Sequence, residues 1–282
     1  MSFEQLEQSF YTGDYTSVVT ADVESLESPE ERHKASLLQY RARIAQGKAK
    51  EVSAELVSST DPALALVKVY ADAVDGSSNS IEAAAKIAST SPDDNDVKLL
   101  TGLIFARGGR YEDALRILST HENSLECTLL IVYIYLTLNR VNDAVKVVSE
   151  TRKWAGDHLL YNLAEAWTCL RQGDDKAQKA FYIFDELNST RETARSSLGQ
   201  AVSQLVLRRF PEADEDLRRA REIDGTSEDV LATSVALAVI QGQPQDEFRT
   251  QVYLVSSAGI DYKEKSELFD KVAQKYASQV PS

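Results

Sequence analysis

Basic residues are in short supply in this chain, cysteines are nearly absent, and no apolar run is long. Thirty-one Lys and Arg stand against 44 Asp and Glu, a formal net charge of −13. A nucleic-acid binder must neutralise phosphates, and a protein docked on anionic lipid needs Lys and Arg at the headgroups, so the balance argues against both. A basic protein partner would instead be steered in faster. Two cysteines, Cys127 and Cys169, cannot build a disulfide framework; they suit a reducing compartment as small buried groups, and the cytosol is the expected location. The longest apolar run, Leu129–Leu138, broken only by Thr137, is half the ~20 residues that span a bilayer. The opening "MSFEQLEQSF" carries two glutamates and no basic region, so no secretory signal is expected.

Side chains with the spacing of a reactive centre are missing too. The three histidines, His33, His121 and His158, stand alone in their segments, and no HExxH, CxxC or paired-His spacing occurs. Cys127 lies in a first helical turn, which favours a thiolate, but beside Glu126 and apolar neighbours, which do not. "GLIFARGG" (Gly102–Gly109) has three glycines without the strand or the lysine of a phosphate loop. Carboxylate pairs such as Glu165 with Asp185 have no partner to raise one pKa. No catalytic residue, metal or cofactor is expected, and the chain is read as a non-enzyme.

What is present is a recurring helix start. "SPEE" offers Ser28 as cap, Pro29 at the first helical position and Glu31 at the third, so serine and glutamate satisfy free backbone N–H groups reciprocally. "DPAL" repeats the device at Asp61, "SPDD" at Ser91 with Asp94, and "NSLE" at Asn123 with Glu126. Asp157, Ser189 with Glu192, and Thr226 with Asp229 follow. The intervals are 33, 30, 32, 34, 32 and 37 residues. A period near 34 with two helices per unit is the length of a tetratricopeptide repeat, or TPR.

A second series runs half a period out of phase. "GDYTSV" (Gly13), "GKAKEV" (Gly47), "GRYEDA" (Gly109), "NRVNDA" (Asn139), "RFPEAD" (Arg209) and "GQPQDE" (Gly242) each follow an apolar helical stretch and turn into a second helix. Around Asp75–Ala84 and Gly173–Ala180 the turns are longer. "LLTGLIFARGGRYEDALRIL" (Leu99–Leu118) is the fullest copy, with Gly102 small, Phe105 bulky, Gly109 turning, Tyr111 packing and Ala114 small. The expected fold is all-α: one TPR-like, right-handed α-solenoid domain over 1–282. It has about eight helix hairpins over 3–255 and a capping helix over 261–277. The apolar stripe of that last helix holds Leu268, Val272 and Tyr276.

In such a stack the first helix of each pair lines the inner face. Aligned on Gly102, Val132 and Ala201, the inner positions are Leu99 and Leu103, then Leu129, Tyr133 and Leu136, then Leu198, Val202 and Leu205. They are apolar, whereas a clamp for a peptide carboxylate needs basic and amide side chains. Either an extended apolar partner surface covers them or tight coiling buries them within the chain. The partner groove is the expectation taken forward.

Several stretches carry a resemblance that is more specific than the repeat: "NSLECT" (Asn123–Thr128), "LNRVNDAVK" (Leu138–Lys146), "AEAWTCL" (Ala164–Leu170) and "KAFYIFDEL" (Lys179–Leu187). "QSFYTGDYTSVV" (Gln8–Val19), "YRARIAQGK" (Tyr40–Lys48) and "FDKVAQKYAS" (Phe269–Ser278) agree with them from end to end. The chain resembles the epsilon subunit of coatomer. That resemblance implies a structural subunit of the COPI coat that binds the C-terminal domain of the alpha subunit, its TPR units curling around a projecting part of it. Contact with other coatomer subunits would be indirect. It also implies a cytoplasmic protein, peripheral on Golgi membranes through the coat, with no direct membrane insertion and no nucleic acid. The rival is a TPR co-chaperone or vesicle-fusion adaptor of similar build.

Overall fold

The computed structural model describes residues 1–243 and 257–276, with side chains for all of these but 174 and 257–262. Sixteen α-helices and no strand occur among the described residues. The chain divides into two compact units, Met1–Ile183 and Phe184–Ser282.

The first unit opens with helix pairs α1 (Phe3–Thr12) and α2 (Tyr15–Thr20), α3 (Pro29–Ala45) and α4 (Ala49–Glu55), and α5 (Pro62–Val74) and α6 (Ser80–Ala88). Then come α7 (Asn95–Arg107) and α8 (Tyr111–Leu118), α9 (Leu125–Thr137) and α10 (Val141–Ala155), and α11 (Leu159–Gln172) with α12 (Asp174–Thr190). α13 (Ala194–Val206), α14 (Phe210–Ile223), α15 (Glu228–Gln241) and α16 (Ser257–Tyr276) complete the order. Most of the expected second helix of the eighth pair lies outside the described residues. The last helix begins four residues before the expected position 261, and Leu268, Phe269, Val272 and Tyr276 on it are exposed.

Two helix starts stand where the caps were read. Ser28 Oγ accepts from the Glu30 and Glu31 amides, and Asp61 accepts from Leu64 at 2.9 Å. The other five move downstream. Asp94, not Ser91, caps α7, because its carboxylate accepts from both Asp96 and Val97 while residues 91–93 form a turn. Asn123 takes φ 49, a left-handed conformation closed to an extended cap, so Ser124 caps α9 by accepting from Cys127. His158 replaces Asp157, and Ser227 replaces Thr226. Ser189 lies inside α12, where its hydroxyl donates to Asp185 O, and Thr193 caps α13 in a box with Ser196.

Most pairs among the described residues close through a tight turn. Five residues, 75–79, separate α5 from α6. The longer turn expected at Gly173–Ala180 is Gly173 alone, because α12 starts at Asp174. Asn139 (φ 57) and Arg208 (φ 61) hold the left-handed turn position that Gly109 (φ 73) holds elsewhere. Asn tolerates that conformation readily, whereas an arginine there is strained. The close approach of the two helices is clearest at Gly102. A Cβ there would meet the Leu118 side chain at 2.8 Å, and Leu118 is fully buried and cannot step aside. Gly102→Ala should therefore cost about 1–3 kcal/mol by overpacking, read as a lower midpoint in urea.

Buried clusters hold the described helices together, three of them as follows. One joins α1 to α3 through Leu6, Val18, Leu38 and Ala42. A larger one runs from α3 to α9 through Leu66, Val67, Leu100, Ile104, Leu118 and Ile134. In the second unit, Ala201, Ala213, Leu217, Val230 and Leu237 join α13, α14 and α15. Each fully buried Leu or Ile contributes about 1.5–3 kcal/mol. Helix α9 is apolar all round because α7, α8, α10 and α11 all pack against it.

Candidate partner-binding face and a buried charge cluster

In the first unit the first helices of successive pairs lie side by side: α7 packs on α5 and α9, and α9 on α11. Equivalent positions on these helices therefore form rows. Leu99 and Leu129 are buried at 4% and 5% exposure, so neither offers surface to another molecule. Leu103 and Leu136 are half-buried, and Tyr133 is 50% exposed on a helix otherwise deep in the core. Leu198, Val202 and Leu205 on α13 are half-buried in the second unit, where Leu198 and Leu205 also pack on its core.

Two residues belong beside these that the sequence reading left out. Ala166 stands at the register of Val132 and Gly102, which puts Trp167 level with Tyr133, and Leu170 level with Leu136. Both are half-buried on α11. The small alanine within "AEAWTCL" is the signal that could have found them.

The inner end of this face carries an arrangement that periodicity does not announce. The Arg41 guanidinium, from α3, is buried and lies 2.8 Å from Glu126 at the start of α9. It donates to the Tyr11 hydroxyl at 3.3 Å and stacks over the Phe10 ring at 4.7 Å, both on α1. The Tyr11 hydroxyl in turn donates to the same Glu126 oxygen. Glu7, one turn earlier on α1, places Oε2 at 3.3 Å from Nε2 of His158, the cap of α11. Asp96 of α7 lines a small cavity with Phe3, Leu37, Leu38, Arg41 and Leu99.

Burial sets the protonation of these groups. It pushes Glu7 up to about 7, with the Glu126 carboxylate adding to the rise and Arg41 opposing it. Burial, then Glu126, lifts Asp96 to about 6. The Tyr11 hydroxyl stays protonated for the same two reasons.

None of this makes a reactive centre. Burial pushes the Cys127 thiol up to about 12, so it is a thiol at neutral pH, and its Sγ lies 3.7 Å from the Asn95 carbonyl. Cys169 is likewise buried and raised. His121 accepts from the Ser124 amide at 3.2 Å, a loop role. Lys179 at 2.7 Å and the Tyr161 hydroxyl at 3.1 Å engage Glu165. Among the described residues no three His, Cys, Asp or Glu side chains are placed to hold a metal ion. No described helix is long and apolar enough to cross a membrane.

Comparison with known proteins bears on both fold and family. A family model described as the coatomer epsilon subunit matches residues 3–277, nearly the whole chain. Among solved structures, the APC/C hetero-tetramer Cut9–Hcn1 aligns with a TM-score of 0.62 at 12% identity, over 79% of this chain and 46% of that one. A tetratricopeptide repeat protein from Parabacteroides merdae aligns at 0.58 and 11%, over 85% and 96%. Yeast Tom70 aligns at 0.55 and 12%, over 98% of this chain and 61% of its own. The chain thus spans under half of the Cut9–Hcn1 chain. At such identities these likenesses show the fold alone, and that fold is the all-helical TPR solenoid.

Proposed function

The chain belongs to the coatomer epsilon subunit family, and from that premise we propose that it holds the alpha subunit through the apolar row on its first helices. Family membership makes it a subunit of the COPI coat, associated with other coatomer subunits. The role is structural and non-enzymatic, in a cytoplasmic coat peripheral to Golgi membranes, with attachment through the coat and not through a segment of this chain. The partner surface is the C-terminal domain of the alpha subunit.

The observation that supports the placement is Tyr133. It is half exposed on a helix whose other faces are buried, and Leu103, Leu136, Trp167 and Leu170 flank it at matched positions. A half-exposed aromatic amid apolar neighbours is the usual anchor of a protein interface. Leu99 and Leu129, being buried, serve the solenoid instead. Leu198, Val202 and Leu205 offer a second apolar row in the second unit.

Calorimetry of the full chain with that alpha-subunit domain tests the reading. Tyr133→Glu and Leu136→Glu should each weaken binding by about 2 kcal/mol, roughly thirtyfold, with helical content unchanged by circular dichroism. Unaltered affinity in both would remove this face from the interface. Binding of an acidic C-terminal peptide in its place would favour the co-chaperone or adaptor reading.

A further inference from the structure

Helix α16 is exposed along its whole described length. The side chains of residues 263–276 all face water, Leu268 at 60% and Phe269 at 71% exposure. A helix of this size is marginal in water by itself, and its stability comes from packing its apolar side. Leu268, Val272 and Tyr276 stand four residues apart and form one stripe, with Phe269 beside it. Along one margin of the stripe run Glu264, Glu267, Lys271 and Lys275, so two acids come first and two bases last. None of Glu264, Glu267 and Lys271 has a charged partner among the described residues.

We infer that α16 pairs side by side, in the antiparallel sense, with α16 of a second copy of this chain. An antiparallel pair brings the same margin of both helices together, running in opposite directions. A margin that begins acidic and ends basic is then its own complement. Centred about residue 270, the pair sets Glu264 and Glu267 alongside Lys275 and Lys271 of the second copy. The same register places Leu268 opposite Val272 of the second copy, and the two Phe269 rings meet at the two-fold axis. A parallel pair does not bring this margin onto itself, so the charges select the antiparallel sense.

The contact is weak because it is small. A stripe of about two and a half turns buries well under the ~1,200 Å² of a stable complex. Pairing therefore grows only as copies are brought together. In a coat that gathers many copies on one membrane, α16 would link neighbouring copies. That consequence rests on the family's coat role, whereas the pairing itself does not.

Sedimentation equilibrium of the full chain, without other subunits, up to about 1 mM reads this out. Dimer should appear as concentration rises, and hydrogen exchange in α16 should slow with it. Phe269→Glu, a change at an exposed site, should weaken pairing at least about tenfold. Glu264→Lys with Glu267→Lys makes the margin wholly basic, and Lys271→Glu with Lys275→Glu makes it wholly acidic. Each double variant should stay monomeric alone, and an equimolar mixture of the two should restore the dimer. Circular dichroism would establish that all variants keep the fold. A wild-type chain that stays monomeric, a dimer unaffected by Phe269→Glu, or charge variants that pair alone as well as the wild type would each overturn the pairing. A monomer whose α16 resists exchange at every concentration would overturn it too, by showing that its own chain covers the stripe. Because no alpha subunit is present, these outcomes leave the partner reading untouched.

Discussion

Glu126→Ala is expected to destabilise the protein by about 3 kcal/mol, at the low end of the ~3–5 kcal/mol for breaking a buried ion pair because Glu126 retains some water contact. The cost comes mostly from the partner that stays behind. Arg41 is 9% exposed and keeps its charge at every accessible pH, so losing Glu126 strands a cation within the first unit. The Tyr11 hydroxyl loses its acceptor in the same step. A net stability of ~5–15 kcal/mol makes this a sizeable fraction, visible as a lower urea midpoint. Glu126→Gln should cost less than Glu126→Ala, since Oε1 can still accept from both neighbours, but most of the loss remains because Arg41 has no counter-charge. Replacing the pair together, Arg41→Met with Glu126→Leu, should recover most of the loss, because no charge is then left unpaired. A double variant as unstable as Glu126→Ala would show that the site's packing, not its charge, carries the effect.

Phe184→Ala should cost about 3–5 kcal/mol, through lost burial and the cavity left behind. The ring is 4% exposed and presses on Gly199 of α13 so closely that a Cβ there would lie within its contact distance. Gly199→Ala should accordingly cost about 1–3 kcal/mol by overpacking. The two effects share one space, so the double variant should be more stable than their sum implies: the new methyl fills part of the void. Thermal unfolding of the three variants checks this, and strict additivity would mean that the ring and the glycine do not share a site.

Local chemistry explains what could be read in advance. Proline at the first helical position leaves Ser28 and Asp61 little freedom as caps, and both hold their places. Where proline is absent, neighbouring polar residues compete, as at Asn123 and Ser124, and backbone conformation chooses between them. At Ser91 even proline does not decide, because Asp94 captures two amides. The stretch from Leu129 to Leu138 could be recognised as a buried first helix because repeats flank it on both sides. Its one exposed aromatic is Tyr133.

The amino-acid sequence by itself determined the helices, their pairing, the repeat length and the family, because capping, turn geometry and apolar periodicity act over a few residues. Only the tertiary structure decided which inner positions reach water. Leu103 and Tyr133 hold the same position in the repeat, yet one is half-buried and the other 50% exposed. Nor could periodicity pair Tyr11 with Glu126, 115 residues apart, or Glu7 with His158. Those contacts arise because α1 packs back on helices far along the chain, and the resulting burial, with the Glu126 carboxylate nearby, gives Glu7 its affinity for a proton.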